Sequence, residues 1–274
     1  MVKGGKFMWI RSELKERGKV TFKRFYWKAV LVSFICLLLT GGIASGVSNR
    51  ISDTYNSGLH NDYYDEDEYY YDEDYEDGVS NIFNSVEELF SGGFILLFAG
   101  LSIIIMIIGF VIKLLIVYPI EIGKNNFFMG IREEEKTLDS LIFIYKSGQL
   151  KNTIFTMFMK GLFQFLWSLL LVIPGIIKAY EYRMIPYILS ENPEISRQRA
   201  FEISKRMMMG NKWDTFVLDL SFVGWNILSD LTIGILGIFY VNPYVESTNA
   251  ELYASLREDA LKKGYVSSSE LIGF

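Results

Sequence analysis

The sequence has few of the residues on which many catalytic and metal sites depend. Its 274 residues include one cysteine, Cys36, and one histidine, His60. A single cysteine excludes an intramolecular disulfide, and the chain contains no zinc motif, nucleotide-binding glycine loop or nucleophile elbow. We therefore predict that the protein is not an enzyme, with no catalytic residue, no cofactor and no metal site.

Charged residues are absent from two long stretches. Ala29–Val47 is nineteen residues without a charge, and Ser91–Ile112 is twenty-two. A helix needs about 20 such residues to cross the hydrocarbon core of a bilayer. Half of the chain is hydrophobic, 16% is aromatic, and the mean hydropathy is +0.22. The composition predicts an integral membrane protein.

Acidic charge is concentrated in one segment. Between Asn49 and Ser91 there are thirteen acidic residues and one basic residue, Arg50, which gives this segment a net charge of −12. Since the whole chain has a net charge of −5, the rest of it carries −5 − (−12) = +7. The basic residues are spread along a membrane body and not gathered on a soluble domain. We therefore expect no nucleic-acid partner.

Basic residues near span ends predict the orientation, because Lys and Arg stay in the cytoplasm. Nine of them precede Ala29, and further basic residues occupy 119–151 and 191–212. Only an even number of crossings between those two segments keeps both inside. This favours a hairpin over a simple kink where Pro174 and Gly175 break the helix.

The predicted fold is all-α, a polytopic transmembrane bundle of about six spans in the cell membrane, with both termini cytoplasmic. A fold with four spans stays open. The segments are a basic N-terminal segment 1–28, a membrane domain 29–257 with an acidic outer loop 49–91, a tail 258–274, and spans at about 29–48, 92–118, 153–173, 176–189, 213–229 and 232–253.

A cytoplasmic amphipathic helix is predicted between the fourth and fifth spans. Asn192 is placed to cap it, Pro193 suits its first position, and Gly210 can end it. Its basic face suits the anionic inner leaflet, where the helix would be interfacial. Packing of its apolar face on the protein's own cytoplasmic loops is an equal alternative.

Three blocks in the sequence resemble a known family. They are "ELKERGKVTFKRFYWKAVLVSF", "LWSLLLVIPGIIKAYEYRMIPYILSENPEIS" and "MMMGNKWDTFVLDLSFVGWNILSDLTIGILGIFYVNPYVESTNAELYASLR". Together they are similar to a bacterial, Gram-positive type of multi-pass integral membrane proteins of unknown function. That family is distantly similar to the membrane region of some glycerophosphodiester phosphodiesterases.

The resemblance implies a six-helix bundle in the plasma membrane and no assigned activity. It covers about Glu13–Val47 and Phe94–Arg257. Positions on the family's motifs are Pro174, Gly175, Lys178, Tyr180, Tyr182, Pro186, Tyr187, Gly210, Lys212, Asp219, Trp225, Pro243 and Glu246. Glu181 and Arg183 depart from the motif, and the acidic loop has no counterpart in it.

Several charged residues fall inside the predicted spans and define a candidate intramembrane polar site: Lys178, Glu181, Arg183, Asp219 and Glu246. A charge at the bilayer centre costs a few kcal/mol, about 2.5–3.5 on insertion scales, so such groups face a partner, a cavity or the interface. Lys178 and Glu181 share a helix face, and Asp219 is the candidate partner of Arg183. Structural pairing or snorkelling, and a substrate or ion site, are the two readings.

The outer loop contains "DYYDEDEYYYDEDYED" at Asp62–Asp77, ten acids and six tyrosines. Dense like charge predicts disorder. Weak capture of cations or cationic peptides is a hypothesis for this loop, carried by Asp65, Glu66, Asp67, Glu68, Asp72, Glu73 and Asp74.

Two functions remain open on these observations. The first is a noncatalytic membrane component that acts through membrane lipids, envelope proteins or cationic peptides. The second is a small transporter or lipid-handling protein that uses the charged site, for which the broken helix at Pro174–Gly175 is an argument.

Overall fold

The structure, a computed structural model, describes residues 9–39, 94 and 96–272. Within these ranges the chain is helical and contains no strand. It divides into two units, one of Met1–Gly41 with Leu114–Phe274 and one of Gly42–Lys113. The acidic loop with its candidate residues Asp65 to Asp74 and His60 lie outside the described residues.

Two described helices are long and apolar enough to cross a membrane, by length and composition. Leu96–Gly130 has 35 residues and contains an 18-residue stretch of mean hydropathy 2.8, and Leu150–Leu170 has 21 residues with a stretch of 1.3. The helix Tyr26–Leu39 is apolar but shorter within the described part. These helices are weak support for a membrane location, and the six-span bundle stays a prediction.

The first unit is built from eleven α-helices within the described residues, which we number in chain order. Residues Lys113–Val117 and Gly237–Val241 have π-helical geometry, and Leu138–Ile142 is a 3₁₀ helix. The α-helices are α1 Arg11–Arg24, α2 Tyr26–Leu39, α3 Tyr118–Gly130, α4 Phe143–Lys146, α5 Leu150–Leu170, α6 Val172–Glu181, α7 Ile185–Glu191, α8 Arg197–Met208, α9 Lys212–Leu220, α10 Val223–Leu231 and α11 Asn242–Lys262.

The break after the third predicted span is real but lies earlier than Pro174–Gly175. Leu171 is the one extended residue, with φ −159° and ψ 141°, between α5 and α6. Pro174 falls in the first turn of α6, where its missing N–H removes no helical hydrogen bond. The prediction that Pro174 and Gly175 interrupt a helix is therefore corrected, because they help to begin one.

Helices α5 and α6 form a hairpin around Leu171. A Cβ added at Gly175 would lie 2.7 Å from Ser168 Cα, closer than real contacts allow. The absence of a side chain at Gly175 thus lets the two helices approach directly. The chain returns along itself here, as the charge pattern favours, and the crossing of a bilayer by each limb stays a prediction.

A second turn joins α10 to the segment before α11. Ile233 and Gly234 both have positive φ, 56° and 82°, and the Gly234 N–H donates to the carbonyl of Ser229. The sequence places a turn in this region. The predicted span at 213–229 is nevertheless two helices, α9 and α10, because the ladder is interrupted at Ser221 and Phe222.

The amphipathic helix α8 begins later than the sequence predicts. Its N-cap is Ser196, whose hydroxyl accepts from the Arg199 N–H, whereas Asn192 accepts from the Glu194 N–H in a preceding turn. The cap expected at Asn192 with Pro193 at the first position is therefore wrong. The turn at Gly210 does follow α8, with φ 79°.

The apolar face of α8 packs on the protein itself. Ala200, Ile203 and Met208 are fully buried and Met207 is 3% exposed. Helix α8 contacts α6, α7 and α11. Of the two alternatives for α8, the structure therefore shows packing on the rest of the protein. The apolar side of α8 is not available to lipid.

The C-terminal residues fold back against α8. Arg199 donates from Nε to Glu270 Oε1 at 2.6 Å and from Nη2 to Glu270 Oε2 at 3.0 Å, and the Ser267 N–H donates to the same carboxylate. Hydrogen bonds from Arg199, and next from the Ser267 N–H, lower the pKa of Glu270 to about 2. The tail is held by a bidentate, charge-assisted contact.

Candidate functional site

Arg183 and Asp219 form the best-connected ion pair among the predicted site residues. Arg183 Nη1 lies 2.5 Å from Asp219 Oδ2 and Nη2 lies 2.8 Å from Oδ1. The Tyr180 hydroxyl donates to Oδ2 at 2.8 Å, and Arg183 Nη2 also donates to Asn249 Oδ1 at 3.0 Å. The two side chains are 22% and 35% exposed. The pair joins the segment after α6 to α9 and α11.

Glu181 is held by two lysines. Lys178 Nζ lies 2.9 Å from Glu181 Oε1, and Lys212 Nζ lies 2.8 Å from Oε2. The Glu181 side chain is 6% exposed, so its charge needs these partners. The backbone carbonyl of Glu181 also accepts from the buried Ser204 hydroxyl at 2.7 Å. This cluster fixes α6 to α8 and α9.

Glu246 does not join either cluster but pairs with Lys124. Lys124 Nζ lies 2.5 Å from Glu246 Oε1, with the two side chains 16% and 23% exposed. A second pair nearby is looser, since Lys160 Nζ lies 3.7 Å from Glu121 Oε1. That distance is too long for a hydrogen bond. Lys124, Lys160 and Glu121 were not predicted as site residues.

Two clefts adjoin these pairs, and Lys124 and Glu246 line both of them. Cleft A, of about 380 Å³, also has Asp219, Asn226 and Asn242 in its wall. Its remaining lining residues are Ser33, Cys36, Leu37, Phe222 and Val245.

Cleft B, of about 250 Å³, carries most of the charge. Its charged lining residues come from three helices and the turn after α6, and they are Glu121, Lys124, Lys160, Arg183 and Glu246. The other lining residues are Asn125, Gln164, Ala179, Pro186, Tyr187 and Asn249. Three cations and two carboxylates thus share one wall, with amides between them. Such a surface can receive a polar group that itself carries both signs of charge.

The structure divides the predicted site. Arg183 and Glu246 line cleft B, and Asp219 and Glu246 line cleft A, whereas Lys178 and Glu181 line neither. Lys124 follows the apolar run by twelve residues on a helix continuous with it, whereas the basic charge of this segment predicts a cytoplasmic connection. Continuing the helical pattern past Ile112 places Lys124 on the same helix as the apolar run, since that helix extends to Gly130.

Metal ligands do not gather in the described part of the chain. No group of three or more His, Cys, Asp or Glu side chains there is placed to hold a metal ion.

Comparison with known proteins gives one family match. Residues 136–260 match the family described as "Protein of unknown function (DUF975)". The matched segment runs from before α4 to near the end of α11, so it contains Arg183, Asp219 and Glu246 but not Lys124. No curated protein and no solved structure matches the chain.

The match confirms that the chain contains a domain of unknown function, as the resemblance implies. The likeness outside residues 136–260, the Gram-positive origin and the distant similarity to glycerophosphodiester phosphodiesterases stay predictions.

Proposed function

We propose that this is a noncatalytic integral membrane protein that acts through lipid, by binding a lipid headgroup in the charged clefts around Lys124 and Glu246. The proposal includes six spans, cytoplasmic termini and an outer acidic loop. The observation that carries it is the convergence of Lys124, Lys160, Arg183 and Glu246 on cleft B, within a body that exposes many large apolar side chains.

Exposed apolar side chains support membrane embedding of both hairpins. The α5–α6 hairpin exposes Leu169 to Ile173 at 62–74%, and the second hairpin exposes Leu231 and Ile233 at 75% and 77%. No charge occurs between Lys160 and Lys178. A soluble protein rarely exposes contiguous apolar patches of this kind, so lipid is the environment that suits these tips.

The charged residues of the clefts lie at similar distances from the hairpin turns. Lys160 is eleven residues before Leu171, Arg183 twelve after it, and Glu246 twelve after Gly234. At about 1.5 Å per helical residue these positions are roughly 17–18 Å from the turns. If the turns lie at the outer boundary of a core about 30 Å thick, the charges lie slightly past its middle.

Ionisable groups at that depth are uncommon and mark functional sites or structural pairs. Arg183 and Asp219 are hydrogen-bonded to each other and to Asn249 and Tyr180, respectively, which suits a structural role. Lys160 and Glu121 are neither hydrogen-bonded to each other nor strongly buried, at 18% and 33% exposure, so they can exchange partners. A zwitterionic headgroup would place its phosphate near Lys160 and its ammonium near Glu121 and Glu246.

The test is lipid analysis of the full chain extracted in polymer nanodiscs with native lipid. We expect one headgroup class to be enriched relative to the bulk membrane. Lys160→Met should reduce that enrichment about fivefold or more, because it removes the least constrained cation of cleft B. Lys146→Met is the matched control, since Lys146 is 60% exposed and lies outside both clefts.

Two outcomes would overturn the proposal. Lipid composition identical to the bulk, with a stoichiometric copurifying protein, would establish a protein partner. Headgroup-independent solute uptake in proteoliposomes that Lys160→Met abolishes would establish the transporter alternative, which shares the same residues. Capture of envelope proteins or cationic peptides by the acidic loop is a separate prediction.

A further inference from the structure

A pocket separate from the charged clefts lies where α8 ends and α9 begins. It has a volume of about 270 Å³ and is lined by Lys205, Met209, Gly210, Lys212 and Trp213. The lining contains two cations and no carboxylate. It is too small for a lipid with its chains but is close to the lower size limit of ligand pockets, which suits a headgroup.

The backbone forms this pocket through a tight turn. Gly210 has φ 79°, in the left-handed region, which lets α8 end and α9 start within three residues. The Asn211 N–H donates to the Met208 carbonyl, and the Asn211 side-chain amide donates to Met207. The turn therefore brings Lys205 and Lys212 to the same wall.

The local charge balance is positive. Lys212 shares the single carboxylate of Glu181 with Lys178, which leaves one positive charge in excess in that trio. Lys205 is exposed and has no ion pair within the described part of the chain. Asp214 follows Trp213 in sequence but is not part of the pocket wall. Lys205 and this trio together carry a net charge of +2, which favours an anion.

One side of the pocket is apolar and open. Trp213 is 71% exposed and Met209 is 64% exposed. Trp213 contacts Phe216 at a ring-centroid distance of 5.3 Å, and Leu220, 55% exposed, continues the same face of α9. An exposed tryptophan beside lysines, at the start of an apolar face, is typical of a membrane–water interface.

We propose that this pocket binds the phosphate of an acidic phospholipid from the cytoplasmic leaflet. The phosphate contacts the ammonium groups of Lys205 and Lys212, and the acyl chains extend along Trp213, Phe216 and Leu220. The site differs from the clefts of the proposed function in residues, in depth and in the charge of its ligand.

The experiment titrates the detergent-purified full chain with dioctanoyl phosphatidylglycerol, dioctanoyl phosphatidylcholine and inorganic phosphate, and counts bound molecules by native mass spectrometry. The variant is Lys205→Glu, which changes an exposed side chain and leaves the Glu181 cluster intact. The matched control is Lys151→Glu, an exposed lysine at the start of α5 with the same change of charge.

We expect Lys205→Glu to weaken phosphatidylglycerol binding about tenfold or more, and Lys151→Glu to change it less than twofold. Phosphatidylcholine binding should not depend on either variant. Equal effects of the two variants would show a general charge effect and overturn the proposal. Inorganic phosphate that displaces the acidic lipid at equal concentration would also overturn it, since the chains would then contribute nothing.

A second variant tests the apolar half of the pocket. Trp213→Ala should weaken phosphatidylglycerol binding about threefold or more while inorganic phosphate binding stays unchanged. Unchanged lipid binding in this variant would contradict the placement of the chains. Loss of headgroup enrichment in Lys160→Met has no bearing on these results, so the two sites can fail independently.

Discussion

Removal of Arg183 is the sharpest test of how the charged pairs stabilise the bundle. Arg183→Gln deletes two hydrogen bonds to Asp219, at 2.5 and 2.8 Å, and one to Asn249 at 3.0 Å. Of its three hydrogen bonds within the described residues, Asp219 then keeps the one from the Tyr180 hydroxyl. The carboxylate then stays partly buried without a cation.

The magnitude follows from the exposure of the pair. Breaking a fully buried ion pair costs about 3–5 kcal/mol, and an exposed pair is worth about 0–1 kcal/mol. Side chains that are 22% and 35% exposed lie between these limits, so we expect a loss of about 2 kcal/mol. For a chain of this size that corresponds to a decrease in Tm of roughly 4–8 °C.

The assay is thermal unfolding in detergent, followed by tryptophan fluorescence, for Arg183→Gln, Asp219→Asn and the double variant. We expect a coupling free energy of about 1–2 kcal/mol, because both single changes remove the same contact. The matched control is the cycle of Lys146 and Asp139, which pair at 3.0 Å with side chains 60% and 69% exposed. That coupling should be about 0.5 kcal/mol or less.

Strict additivity at Arg183 and Asp219 would refute the reasoning, since it would mean that the pair contributes nothing beyond its separate residues. The exchanged variant, Arg183→Asp with Asp219→Arg, separates structure from ligand binding. Recovery of both folding and lipid enrichment assigns the pair a structural role. Recovery of folding alone assigns it to the ligand site.

Three further predictions concern packing, pH and orientation. Gly123→Ala should destabilise the protein by about 1–3 kcal/mol because its Cβ would overlap the backbone of Leu141 in the neighbouring 3₁₀ helix, whereas Gly100→Ala, with nothing within 4 Å, should not. Equal melting temperatures of the two variants would contradict this. The depressed pKa of Glu270 stabilises the docked tail above the ordinary carboxyl range, and this stabilisation is lost as pH falls through about 2. The protection of the tail amides, measured relative to their intrinsic exchange rate at each pH, should therefore fall between pH 4.5 and pH 2, and a pH-independent protection factor would exclude it. In a chain whose single cysteine is replaced by serine, a cysteine at Ser57 should react with an impermeant maleimide on intact cells and one at Ser268 only after lysis, and the reverse pattern would invert the topology.

The sequence is sufficient to predict that the chain is helical and has long apolar segments, because uncharged runs such as Ser91–Ile112 need no tertiary information. It also places Arg183 and Asp219 in neighbouring predicted spans, and for this reason it predicts Asp219 as the partner of Arg183. The second turn follows from local signals too, since Gly234 supplies a positive φ.

The rest depends on contacts that are distant in the sequence. Glu181 is paired by Lys212 as well as by its helical neighbour Lys178, and nothing within one helical turn predicts the second lysine. Lys124 reaches Glu246 across 122 residues. The sequence predicts a break near Pro174 but not its position at Leu171, because leucine has no preference for an extended conformation between helices and a proline is equally suited to the first turn of the next helix.

The positions of the ion pairs indicate which side of cleft B can open. Helix α6 and the residues after it are held to α9 by two ion pairs. Lys212 donates one hydrogen bond to Glu181, and Arg183 donates two to Asp219. On the opposite side of cleft B, the ion pair between α3 and α5 is longer, since Lys160 Nζ lies 3.7 Å from Glu121 Oε1. Among the ion pairs named here, separation of α3 from α5 would break one long pair, whereas separation of α6 from α9 would break two and leave two carboxylates with fewer partners. For the headgroup of the proposed function, we infer entry between α3 and α5, because this route breaks the longest of these ion pairs and brings the headgroup first to Lys160.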